Sequence, residues 1–140
     1  MGETGSRAVG ATRTPKQQAG DAAESLVAGL LTSRGWSVVA RNVHVGRSEL
    51  DIIATDPGPP ARLVVVEVRW RRSRDFGGPE ETFDHRKRAQ IRSGVARLLE
   101  SGCLPDGLPL PHLPIAVDFA VVEPGAGGRP TARLYKNALG

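Results

Sequence analysis

Cysteine, aromatic residues and long apolar runs are all scarce in this sequence, and each scarcity removes a class of function. Cys103 is the only cysteine among 140 residues, so neither an internal disulfide nor a cysteine-based zinc site can form. With no His or Asn partner suggested by the sequence, its thiol reads as packing near a helix end rather than as a nucleophile. The six aromatic side chains fall mostly at core-like positions, which leaves little surface for stacking on bases and disfavours a sequence-specific single-strand binder. No apolar run approaches the roughly 20 residues that span a bilayer, and the first residues carry no apolar signal core. The expectation is a cytoplasmic protein with no membrane partner. A glycine-rich nucleotide loop and a His-rich metal motif are also missing, and His44 has no partner at ligand spacing.

What is present is basic charge, unevenly placed. The formal net charge is +4 with a pI near 10.0. From Arg69 to Arg97 nine Arg or Lys face only Asp75, Glu80, Glu81 and Asp84, a net of +5, so the remainder is close to neutral at −1. A localised basic segment is the electrostatic footprint of a phosphate-backbone binder, and equally of a soluble Arg-rich surface. The length suits one domain with a real core. Residues 1–18 hold almost no large apolar side chain and are expected to form a mobile basic tail, with a single domain over 19–140.

Along that domain, Ala22, Ala23, Leu26, Val27, Leu30 and Leu31 recur at three- and four-residue spacing, the signature of one buried helix face. Asp21 is placed to cap this helix with Glu24 three residues on, a capping box that gives Glu24 a structural explanation. Gly35 ends the helix. Strands are expected over 36–45, 48–54 and 62–71, the last two joined by a turn at 55–61. A Gly- and Arg-rich loop over 71–81 follows, with Arg71, Arg72 and Arg74 suited to backbone phosphates because guanidinium pairs with them bidentately. The next helix, about 81–101, turns Phe83, Ile91, Val95, Leu98 and Leu99 inward and Arg86, Arg88, Arg92 and Arg97 mostly outward. Lys87 sits one turn before Ile91, beside the buried face with Gln90 next to it, able either to point at the sheet or to snorkel to solvent. Strands at 115–122, interrupted by Asp118, and at 131–135 close the chain.

The stretch that stands out is 49–70. Side chains two apart share a strand face, so Val64, Val66, Val68 and Trp70 form an apolar face while Leu63, Val65, Glu67, Arg69 and Arg71 change from apolar to charged at Glu67. Asp51 lies on the neighbouring strand. An ionised carboxylate among Val, Ile and Leu is costly unless a cation or donor meets it. Two such groups can hold a hard divalent ion through oxygen, and such an ion can activate water against a phosphodiester. Asp51 accepting bonds from the turn, and Glu67 paired with Arg69 or Arg71, is the structural alternative. On spacing alone both stay open.

Taken together, Gly20-Asp21-Ala22-Ala23-Glu24, Arg41-Asn42, Glu49-Leu50-Asp51-Ile52-Ile53-Ala54, Val65-Val66-Glu67-Val68-Arg69, Phe76-Gly77, Lys87, Val117-Asp118-Phe119 and Asn137-Ala138-Leu139 form a specific pattern. In this order and spacing, it resembles the bacterial YraN-like family, an uncharacterised family assigned to the PD-(D/E)XK, or restriction-endonuclease-like, nuclease superfamily. The resemblance implies an α/β fold with a restriction-endonuclease-like core, a mixed sheet of about five strands flanked by helices. It implies Asp51 and Glu67 as ligands of Mg2+ or Mn2+, with Glu24 joining them. The superfamily's lysine two residues after the second acid is here Arg69, which cannot act as a neutral base but can stabilise charge on phosphate. Lys87 is the other cation that could reach the site. Ser48 stands where the family has glycine. Arg71, Arg72, Arg74, Arg88, Gln90 and Arg92 are the expected nucleic-acid contacts. The implied activity is metal-dependent endonucleolytic hydrolysis of DNA, branched or structured as for the superfamily's Holliday-junction resolvases, with a homodimer by analogy. The alternative readings are a catalytically inactive nucleic-acid-binding module that retains the fold, and a protein-interaction scaffold.

Overall fold

The computed structural model describes residues 12–71 and 83–139. Helix α1 (Pro15–Ser33) starts earlier than its apolar periodicity suggests. Thr14 is its N-cap: its Oγ1 accepts from Gln17 N–H at 3.1 Å, and Gln17 Oε1 accepts from Thr14 N–H at 2.9 Å. With Pro15 at the first helical position, this reciprocal pair satisfies donors the helix leaves free. The expected cap at Asp21 is therefore corrected. Asp21 lies within the helix and binds the Arg13 guanidinium at 2.8 Å, and Glu24 loses its capping explanation. Pro15 to Gln18, assigned above to the tail, are its first turn.

Five strands follow: β1 (Ser37–Val45), β2 (Ser48–Asp56), β3 (Arg62–Trp70), β4 (Ile115–Pro124) and β5 (Pro130–Tyr135). They form one sheet in chain order, antiparallel except for β3 beside β4. That parallel pair needs a crossover, which carries α2 (His85–Ser101). This helix starts at His85 rather than near Glu81, because Asp84 caps it by accepting from Lys87 N–H at 2.9 Å. It stops at Gly102, whose φ of +72° suits glycine.

A helix lies on each face, so the sheet separates two apolar layers. Ala23, Val27 and Leu31 of α1 pack with Trp36, Ile52, Ala54, Val64, Val66, Ala120 and Val122. Ile91 and Leu98 of α2, together with Phe83, pack with Leu50, Ile53, Leu63, Val65, Phe119 and Val121. Burial on both faces explains why β3 reads as a continuous apolar run. Two expected core positions are corrected: Leu99 is 48% exposed and Trp70 39% exposed. On α2 it is Gly94 that faces inward. A Cβ there would stand 2.8 Å from the Cβ of Ser48, whose hydroxyl donates to the Gln90 carbonyl at 2.9 Å. Ser48 is thus seated against a helix glycine. The chain is an α/β fold, a mixed five-stranded sheet flanked by two helices, consistent with a restriction-endonuclease-like core.

One irregularity positions the site. Leu50 and Ile53, three apart, both join the α2 layer, while Ile52 and Ala54 join the α1 layer. Strict alternation forbids that, so the strand turns over at Asp51. The β2–β3 ladder accordingly pairs Ile52 with Val66 and runs away from Asp51, to Asp56 opposite Arg62.

Candidate metal and phosphate site

Where the ladder gives out, side chains take over its hydrogen bonds. Asp51 N–H donates to Glu67 Oε2 at 3.0 Å, and Val68 N–H donates to Asp51 Oδ2 at 2.8 Å. Each carboxylate therefore caps the other's strand, which fixes both without a counter-cation. The second oxygen of Glu67 is different. Its side chain is fully buried, and Oε1 has no hydrogen-bond partner among the described residues. The nearest cation is Lys87 Nζ at 3.8 Å, beyond hydrogen-bond reach. A buried carboxylate oxygen left in this way is costly, and a buried acceptor of this kind calls for a functional account.

The electrostatics follow from that burial. Glu67 is pushed up to about 8 by burial and then by the Asp51 charge, against the Asp51 N–H, Lys87 and Arg69. Asp51 is also raised, by burial, although the Val68 N–H and the charges of Lys87 and Arg69 pull it down. Glu24 is raised to about 7, by burial and then by Asp51, against Arg41. Three acids on α1, β2 and β3 thus hold protons more tightly than free carboxylates do, the pattern of a site that expects positive charge.

The expected cations divide into two groups. Lys87 and Arg69 stand with the acids. The Arg69 guanidinium lies over the Phe83 ring, 5.7 Å from its centroid, and Phe83 in turn stacks on Phe119 at 4.0 Å. Other arginines are engaged elsewhere. Arg71 binds buried Glu123 at 3.1 Å, where Arg133 also binds. Arg88 donates to the carbonyls of Phe83 at 2.7 Å and Ala138 at 2.9 Å and lies over the Phe119 ring. Arg92 is exposed and reaches the Leu139 carbonyl at 3.3 Å. Gln90 is exposed, and Arg72 and Arg74 lie outside the described residues. Among the described residues no three His, Cys, Asp or Glu side chains are close enough to hold one ion together, so Glu24 stands beside the Asp51–Glu67 pair without joining it as a ligand cluster.

Two neighbours escaped the sequence reading. His44 has a partner after all, Glu49 across the hairpin at 3.2 Å, with both side chains exposed. Glu24 is held from β1: Arg41 Nη2 stands 3.7 Å from its Oε1. The Asn42 amide, turned to satisfy its hydrogen bonds, donates to Oε1 at 2.9 Å and Oε2 at 3.3 Å. The adjacent Arg41-Asn42 pair was the available signal. Asp118, the acid inside β4, stands beside Val66 in the ladder and is buried and structural. It accepts from Asn137 N–H at 3.0 Å and from Arg62 at 3.4 Å, and Arg62 also binds Asp56 at 2.9 Å.

Comparison with known proteins places this arrangement in a family. The sequence model of the uncharacterised protein family UPF0102 matches residues 23–122, a span that includes Glu24, Asp51 and Glu67, and the chain belongs to that family, the YraN-like family. A UPF0102 protein of Symbiobacterium thermophilum is 38% identical over 124 residues, covering 88% of this chain and 97% of the relative. One of Dehalococcoides mccartyi is 30% identical over 125 residues, covering 89% and 95%. One of Paenarthrobacter aurescens is 36% identical over 113 residues, covering 78% and 88%. No helix among the described residues is long and apolar enough to cross a membrane.

Proposed function

We propose that the chain is a Mg2+- or Mn2+-dependent endonuclease acting on DNA phosphodiester bonds, with branched or structured DNA as the substrate. The observation that carries this reading is the Glu67 carboxylate. One oxygen is fixed by the neighbouring strand and the other is buried without a hydrogen bond, beside Asp51 and facing Lys87. The donors fit the group. Asp51 and Glu67 offer hard oxygens on preset backbone, and both carry raised proton affinity that a divalent cation would relieve. Asp51 and Glu67 would hold the ion, with Glu24 as the adjoining acid. Such an ion supplies Lewis-acid stabilisation of charge developing on the phosphate during hydrolysis.

The chain's own residues do the rest. Lys87 and Arg69 place two positive groups beside the acids, where they offset charge on a phosphate as it is attacked. Arg69 acts only through its charge and donors, since a guanidinium offers no acceptor. Phe83 supports its guanidinium from below. Proton acceptance from the attacking water falls to Glu24, which lies near 7 and stands outside the pair that would hold the ion. A homodimer belongs to the same reading by analogy with the resolvases, and sedimentation of the free protein checks it.

The arginine at position 69 favours one second reading, a nucleic-acid-binding module that keeps the fold without turnover. Incubation of four-way and linear duplex DNA with Mg2+ or Mn2+ separates the two. Cleavage that requires the metal and is lost in Asp51→Ala and Glu67→Ala supports the nuclease. Salt-dependent binding without cleavage supports the module. Binding that does not weaken with salt overturns both.

A further inference from the structure

We infer that Asn42, seconded by Arg41, is a positioning residue for Glu24, holding its carboxylate at the margin of the Asp51–Glu67 pair, where its charge adds to the attraction for the ion they would hold; this rests on the metal-site reading above. Asn42 lies within β1, yet its φ is +52°. That left-handed conformation is uncommon for any residue with a Cβ, and Asn is among those that tolerate it best. Successive residues of a regular strand point to opposite faces. Here the turned backbone lets both Arg41 and Asn42 reach one carboxylate, at 3.7 Å and at 2.9 and 3.3 Å.

The fold does not need this asparagine for packing. Its side chain is exposed, whereas the next residue, Val43, is buried and keeps register with Leu50. What the amide does is donate to both Glu24 oxygens while adding no charge. It orients the group without competing with a cation for it, as a lysine would. Carboxylates at and around metal sites are commonly steered by hydrogen-bonding partners of this kind. The hydrogen-bonded asparagine also accounts for Glu24 now that helix capping does not, since Thr14 and Gln17 perform that task.

The test is calorimetric titration of Mn2+ into the full chain and into Asn42→Gly, Glu24→Gln and the double variant, with thermal unfolding of each metal-free protein. Glycine accepts a positive φ and removes only the amide, so the metal-free midpoint of Asn42→Gly stays close to wild type while its Mn2+ affinity falls about 10-fold. Glu24→Gln weakens binding at least as much, and the double variant is no weaker than Glu24→Gln alone, because both act through one carboxylate. Unchanged Mn2+ affinity in Asn42→Gly, or losses that add in the double variant, overturns the positioning role and leaves the metal site intact. Should Asn42→Gly fail to fold, Asn42→Asp, which also tolerates this backbone but cannot donate, carries the same expectation, and wild-type affinity there overturns it. A wild-type protein that binds no Mn2+ overturns the metal site and the positioning role together.

Discussion

Replacing Glu67 with glutamine should make the metal-free protein more stable, and increasingly so as pH rises. The amide keeps the oxygen that accepts from Asp51 N–H at 3.0 Å and removes the buried charge. An unfolded glutamate ionises near 4.5, whereas Glu67 in the native chain does so only at about 8. Between those values the native state binds more protons than the unfolded state, so stability is fully present below pH 4.5 and declines as pH climbs to 8. At 1.36 kcal/mol per pKa unit the ceiling is about 5 kcal/mol. Because the shift belongs to the interacting Asp51–Glu67 pair and not to Glu67 alone, about 2 to 3 kcal/mol is expected at pH 8.5, or roughly 10 °C in midpoint for a chain of this size. At pH 4.5 the two proteins should unfold together. Glu24, raised to about 7, keeps its own decline in both. Saturating Mn2+ should then stabilise wild type by about 3 kcal/mol at a hundred times its dissociation constant and leave the glutamine variant unmoved. Urea denaturation across pH 4.5 to 8.5, with and without Mn2+, measures all of this. A glutamine variant less stable than wild type at pH 8.5 would refute the reasoning, because it would make Glu67 the stabilising half of an ion pair with Lys87.

Further outcomes follow from the same contacts. Gly94→Ala, whose new methyl would stand 2.8 Å from Ser48 Cβ, should cost about 1 to 3 kcal/mol in urea denaturation, and adding Ser48→Gly should recover much of it. Arg71→Gln, which unpairs one side of buried Glu123, should lower stability by about 2 kcal/mol, so any loss of DNA binding in that variant will track unfolding. Lys87→Ala should leave the fold within about 1 kcal/mol of wild type while reducing cleavage by about 100-fold, read in a single-turnover assay; a variant that cleaves normally would remove Lys87 from the site.

Much of the architecture was legible because burial on both faces of the sheet leaves unbroken apolar runs at 63–66 and 119–122, and because Gly35, Gly46 and Gly102 punctuate them. The acid pair was legible for the same reason: Glu67 interrupts such a run. The start of α1 was not. Its first turn has no large apolar side chain, so periodicity begins at Ala22, where Asp21 and Glu24 stand at capping-box spacing. The reversal at Asp51 was hidden too, since Leu50, Ile52 and Ile53 are equally apolar and composition does not say which face each takes. Nor can charge counting separate Arg69, which stands at the acids, from Arg71 and Arg88, whose donors are taken by Glu123 and by backbone carbonyls. That division depends in part on partners such as Glu123 for Arg71 and Ala138 for Arg88, 52 and 50 residues away in sequence.

The central claim is that Asp51 and Glu67 hold a single divalent cation between them, and anomalous diffraction from crystals soaked in Mn2+ tests it most directly. The account predicts one strong anomalous peak bonded to an oxygen of each residue and absent in Asp51→Asn. No peak at that position, or an ion bound to one carboxylate while the other keeps only its backbone hydrogen bond, would contradict it.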